Sequence, residues 1–163
     1  MTFLLAAKGR RTVAALGAVS AGLLVLSACE KPTPMTTMTF GDDTVSAEAT
    51  CYDEGKGFSR EKAVECALKK SKKSVKVSQG ETMRIGVDPE VSDSGWTVWV
   101  NGQQVISPNP FKKTFRSFPG IDVFAPQQDG KVEDKLYISV VQQNEAGTKF
   151  KGVWNFKLVN DDA

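Results

Sequence analysis

The chain has 163 residues, a length that suits one domain or one domain with accessories. It carries 21 Lys and Arg, 19 Asp and Glu, and no histidine. The missing imidazole excludes a Ser-His-Asp triad and removes the commonest general base and metal ligand, and the near balance of charge gives no argument for nucleic-acid binding.

Residues 1–11 contain Lys8, Arg10 and Arg11 and no acid, and residues 12–26 (TVAALGAVSAGLLVL) are apolar or small and uncharged. That run of about 15 residues falls short of the roughly 20 needed for a spanning helix. Leu26-Ser27-Ala28-Cys29 closes it. A basic start, a short apolar stretch and small residues just before a cysteine resemble the lipobox of bacterial prolipoproteins. The resemblance implies cleavage after Ala28, which makes residues 1–28 a lipoprotein signal peptide. It also implies lipidation at Cys29 through a thioether to diacylglycerol. Two acyl chains hold a protein stably where one does so marginally. The implied location is extracytoplasmic, lipid-anchored at the outer face of the cytoplasmic membrane. Arg10-Arg11 fits either a twin-arginine or a general secretory signal. Taking the three basic residues of the signal from the 21 leaves 18 against 19 acids, a net of −1. The basic excess therefore belongs to the discarded segment.

Cys51 and Cys66 remain, an even pair in an exported chain, so a disulfide is expected. A closed loop of about 15 residues stabilises by about 3 kcal/mol in the chain-entropy model. The spacing is not C-x-x-C, and without histidine it makes a poor metal site.

Residues 29–35 read as a lipidated tether, with Pro32 and Pro34 in it. From Thr36 to residue 163 the pattern is that of a β-domain. Residues 36–40 and 44–50 are short strands joined by Gly41-Asp42-Asp43. Residues 59–70 are the one convincing helix, with Ser59 as N-cap and Ala63, Cys66, Ala67 and Lys70 at helical spacing on one face. Val75 and Val77 mark a strand, and Met83, Ile85 and Val87 another. Trp96, Val98 and Val100 alternate up to Asn101-Gly102, and residues 103–106 follow; Asn-Gly between strand-like runs is a strong hairpin signal. Residues 107–126 read as irregular and hold four of the seven prolines. Leu136, Ile138 and Val140 alternate, residues 144–147 turn the chain, and Phe150, Gly152, Trp154, Phe156 and Leu158 share a face of the last strand. About eight or nine strands and one short helix predict a mainly β fold, an antiparallel immunoglobulin-like β-sandwich with Trp96 or Trp99 and Trp154 between the sheets.

Several side-chain groups are candidates for function. The carboxylate pairs Asp42/Asp43 and Asp161/Asp162 read as solvated charges, and no P-loop or dinucleotide fingerprint is present. Met35 and Met38 raise copper(I), which soft thioethers suit, although both also read as tether and strand residues. Lys69, Lys70, Lys72, Lys73 and Lys76 form the densest charge run. They read either as the exposed end of a helix or as a patch facing anionic lipid or wall polymer. In residues 108–126, Phe111, Lys112, Lys113, Arg116 and Phe118 read as a proline-stiffened binding loop. The other reading makes Phe115, Phe118 and Phe124 the core side of two short strands.

The segments LLVLSACEKPTP, IGVDPEVSDSGWTVWVNGQQ, FKKTFRSFPG and GVWNFKLVN together resemble a family of uncharacterised actinobacterial lipoproteins, a domain of unknown function. The resemblance implies a single lipid-anchored domain and brings no activity with it. The expected function is a non-enzymatic binding or structural module of the cell envelope, without a cofactor or metal. Its candidate partners are the membrane through the anchor, an anionic lipid or wall polymer, or another envelope protein. A small-ligand or metal carrier, and a hydrolase working through carboxylates, are the alternatives.

Overall fold

The computed structural model describes residues 32–126 and 130–162. The expected signal peptide, 1–28, and the expected lipidation site, Cys29, lie outside the described residues. In chain order the elements are β1 (Thr36–Phe40), β2 (Asp43–Ala47), β3 (Cys51–Tyr52), α1 (Arg60–Ala67), β4 (Ser74–Val77) and β5 (Met83–Val87), followed by α2 (Pro89–Ser94), β6 (Trp96–Val100), β7 (Gln103–Phe111), β8 (Phe115–Phe118), β9 (Lys135–Gln143) and β10 (Phe150–Asn160). One sheet runs β2-β1-β5-β8 and the other β3-β10-β9-β6-β7, with β4 also on β10. The fold is mainly β and largely antiparallel, a two-sheet arrangement consistent with a β-sandwich. One pairing is parallel: β4 lies along the last residues of β10.

Period-two alternation builds the small sheet. In β1 and β5 every second residue is buried, so Met38, Phe40, Met83 and Ile85 enter the space between the sheets. Trp96, Val98, Val140, Trp154, Phe156 and Leu158 meet them from the larger sheet. Asn101 and Gly102 both take positive φ, 49° and 76°, as the hairpin between β6 and β7 requires.

Part of the larger sheet is buried on both faces, because α1 covers its outer side there. Ala63, Cys66 and Ala67 pack there on Trp99, Val141, Phe150 and Val153. Trp99 thus sits under the helix rather than between the sheets. Phe150 also leaves the face that strict alternation gives it. Phe150 pairs with Gln143 and Gly152 with Gln142, so Lys151 is an inserted residue. Such a bulge inverts the side-chain parity of everything on its far side.

Three further expectations need correction. There are two helices, not one. Asp88-Pro89-Glu90 starts the second with proline in its first turn, where a missing N–H costs nothing. The first helix ends at Ala67, so Lys69 and Lys70 lie beyond it and Lys70 is exposed. Residues 107–126 are not irregular throughout: β7 continues to Phe111 and β8 follows. Prolines 108 and 110 fit because the strand bulges there. Trp96 pairs with Phe111 but Val98 with Ile106, and Ser107 takes φ 54°.

The tether is shorter than its expected boundary. Pro34 is buried, and its carbonyl accepts the Trp154 indole N–H at 2.7 Å. Met35 N–H donates to the Asp88 carboxylate at 2.8 Å, while Asp88 N–H returns a bond to Met35 carbonyl at 3.1 Å.

Candidate functional site

Cys51 and Cys66 form the expected disulfide, with Cα atoms 6.1 Å apart. It ties β3, at the edge of the larger sheet, to the buried face of α1. The helix is also fastened at both ends. Ser59 Oγ accepts the Lys62 N–H at 3.4 Å, and its hydroxyl holds the Glu61 carboxyl below the usual carboxylate range. At the C-terminal end the Asn155 amide donates to the carbonyls of Cys66 and Lys69, both at 2.8 Å.

The connection from β7 to β8, which passes from the larger sheet to the smaller, gathers most of the expected binding residues. It carries exposed Lys112 and Lys113. Lys112 Nζ donates to the carbonyls of Asp93 and Ser94, each at 3.1 Å, and lies 3.4 Å from Glu145. It therefore closes the end of α2. Lys113 lends its carbonyl to the Trp96 indole N–H at 2.8 Å and leaves its ammonium in solvent. The Arg116 guanidinium stacks on the Phe111 ring, 4.7 Å from its centroid.

Phe118 does not belong to this surface. It is 7% exposed and packs edge-on to Phe111, and Phe124 is likewise buried in the main core. Phe115 is the reverse case: it is 55% exposed, on the face of β8 opposite Arg116 and Phe118. The strand alternation of residues 115–118 predicts such a split, since Phe115 and Phe118 lie an odd number of positions apart.

The lysine run forms a second surface. Lys69, Lys70, Lys72, Lys73 and Lys76 are all exposed, in the loop after α1 and on β4. Lys76 is ion-paired with Asp161 at 2.7 Å, which raises its pKa. Sequence reasoning missed two members, Lys135 and Lys157. Register places Lys76, Val159 and Lys135 in one row across β4, β10 and β9, and Ser74, Lys157 and Tyr137 in the next. Long-range pairing brings them together, and no spacing along the chain signals it.

A shallow cleft of about 220 Å³ opens at the same end, with Val77, Asp122, Phe124, Val132 and Asp162 among its walls. Small-molecule sites run to roughly 300–1,000 Å³. Its two carboxylates bind backbone: Asp122 accepts the Phe124 N–H at 3.0 Å and Asp162 the Gln79 N–H at 2.6 Å. Met38 is a core residue, and alternation turns Met35 to the opposite side, so the two thioethers are not brought together. Among the described residues no group of three or more His, Cys, Asp and Glu is placed to hold a metal ion. No helix among them is long and apolar enough to cross a membrane.

No family model, curated protein or solved structure matches the chain.

Proposed function

We propose that the chain is a lipid-anchored lipoprotein of the cell envelope whose β-domain is a non-enzymatic binding module. The observation that carries this reading is the Cys51–Cys66 disulfide, because such bonds persist in oxidising, extracytoplasmic compartments. It stands beside the Leu26-Ser27-Ala28-Cys29 sequence, which supplies the anchor. The resemblance to actinobacterial lipoproteins belongs to the same reading. So does an immunoglobulin-like description of the sandwich, supported by two facing sheets with Trp96 and Trp154 between them.

The polar chemistry of the domain supports binding over turnover. Buried polar side chains such as Asn155, Ser139 and Gln142 hold helix ends and loops. Exposed Lys113 and Phe115 and half-buried Arg116 sit at the connection between β7 and β8. Aromatic and arginine side chains are those that dominate interface energetics.

Membrane fractionation of wild type and Cys29→Ser tests the anchor. Wild type is expected in the membrane pellet and the variant in the soluble fraction; equal partition rejects the reading. Pull-down from envelope fractions with Lys113→Ala/Phe115→Ala tests the β7–β8 connection, and an unchanged set of recovered proteins removes it as the contact surface.

A further inference from the structure

The outer face of the larger sheet is only partly covered. On β10, Val153 and Asn155 lie under α1, while Lys157 and Val159 continue the same face beyond the helix end. On β9, Ser139 is covered and Tyr137 and Lys135 are not. The loop after α1 borders this area, since Lys69 carbonyl accepts from Asn155 and Lys73 carbonyl accepts the Lys157 N–H at 2.8 Å. Lys135 and Lys157 therefore stand on this face with half-buried Tyr137 and Val159, and exposed Lys70, Lys72 and Lys73 lie on the loop that borders it. Among the described residues none of these five lysines forms an ion pair. Asp161 is engaged by Lys76 at 2.7 Å, and Asp43 accepts the Lys76 N–H at 2.7 Å.

The position of this face matters as much as its charge. The chain enters the domain at Pro34 and Met35, beside Trp154, Asp88 and the first residue of β1. The far end of β1, Phe40, pairs with Asp43, which holds β4 and Lys76. The five residues of β1 set those two ends about 13 Å apart. The lysines accordingly lie at the end away from the N-terminal entry, on the outside of the sandwich. Asp88, Glu90 and Glu145 lie towards the entry, while Asp43, Asp161 and Asp162 lie at the lysine end, each held by a backbone N–H or by Lys76.

We infer that this lysine-bordered sheet face binds a phosphodiester-linked anionic polymer, at the end of the domain away from its N-terminal entry. The inference rests on the anchored-module reading and names the partner of the module. Ammonium groups pair with phosphate oxygens as point charges. Strand spacing of about 4.8 Å sets Lys76 and Lys135 about 10 Å apart across Val159. An apolar floor between cations suits short carbon units alternating with phosphates.

The test is a binding titration of the full chain, in neutral detergent, with a poly(glycerol phosphate) oligomer. Binding is expected to weaken about fiftyfold between 50 and 200 mM salt if about four phosphates are neutralised. Lys135→Glu/Lys157→Glu is expected to weaken it at least tenfold, as is Lys72→Gln/Lys73→Gln, which keeps both β-strands unaltered. Lys56→Glu/Lys149→Glu, exposed near the Phe58–Phe150 bridge at the other end of β10, leaves it unchanged. Absence of binding, or equal affinity in all three variants, overturns the inference. Tighter binding to vesicles containing phosphatidylglycerol than to the oligomer, lost in the Lys135/Lys157 variant, assigns the face to the bilayer and overturns it too. Affinity for the oligomer in detergent does not depend on the modification of Cys29, so failure here and failure of the fractionation experiment are separate results.

Discussion

Asn155, in the middle of β10, donates its side-chain amide to the carbonyl of Cys66, the residue whose sulfur is bonded to Cys51. One buried amide and one disulfide thus fasten the same turn of α1 to the outer face of the larger sheet. Ser139 on the neighbouring strand completes the arrangement, since its hydroxyl donates to Asn155 Oδ1 at 2.8 Å. Every polar atom of the Asn155 side chain is used, in a place with almost no solvent.

Asn155→Ala removes three buried hydrogen bonds, those to the carbonyls of Cys66 and Lys69 and that from the Ser139 hydroxyl. An unsatisfied buried polar group costs about 1–3 kcal/mol, so a loss of about 2–4 kcal/mol in urea unfolding is expected. Asn155→Asp is expected to be no better, because it faces two carbonyls with acceptors. A loss under about 0.5 kcal/mol in both would mean that water replaces the amide.

Replacing the disulfide separates the covalent contribution from the polar one. Cys51→Ala/Cys66→Ala is expected to lose about 2–5 kcal/mol. A reducing agent should lower the stability of wild type to about that of the variant and leave the variant unaffected. An unchanged midpoint in reduced wild type would contradict this.

Gly152 lies directly beneath the Trp154 ring, and a methyl group there would overlap the indole. That ring is fully buried, and its N–H holds Pro34. Gly152→Ala must push the indole away and break that bond, at an expected cost of about 1–3 kcal/mol. Tryptophan emission should shift to the red, and the N-terminal residues 33–35 should become more accessible to proteolysis. Wild-type emission and stability in the variant would rule out the close approach.

Alkaline pH should reveal the Tyr52 site. Its hydroxyl donates to Glu90 Oε1 at 2.8 Å, and burial, followed by that hydrogen bond and the Glu90 charge, pushes the phenol well above its ordinary range. The folded state keeps a proton that the unfolded chain releases above a pH of about 10, so stability is complete below that pH and falls as pH rises. Lys76, raised by Asp161, acts in the same direction. Wild type should lose about 1 kcal/mol more than Tyr52→Phe between pH 9 and 11. Parallel losses would place the titration elsewhere.

Local patterns were legible where one residue's neighbours in sequence decide its environment. The Asn101-Gly102 hairpin, the alternation of Met83, Ile85 and Val87, and the Ser59-capped helix all follow from backbone preference and period. The cysteine pair followed from parity and compartment. The Asp88-Pro89-Glu90 start of α2 was present in the sequence as well, hidden by its six-residue length.

Tertiary structure alone decided the rest. A one-residue bulge at Lys151 sends Phe150 to the helix side, and no hydropathy pattern records where a sheet inserts a residue. Phe115 and Phe118 are alike in composition and opposite in exposure, because the partner sheet covers one side of β8 only. Lys135 and Lys157 join Lys76 through strand pairing between segments distant in the chain. Cys51, Cys66 and the chain's alternating apolar residues determined that a disulfide-tied β-domain forms. Which charges meet on its surface was set by register, a property of hydrogen bonds between strands rather than of any one strand.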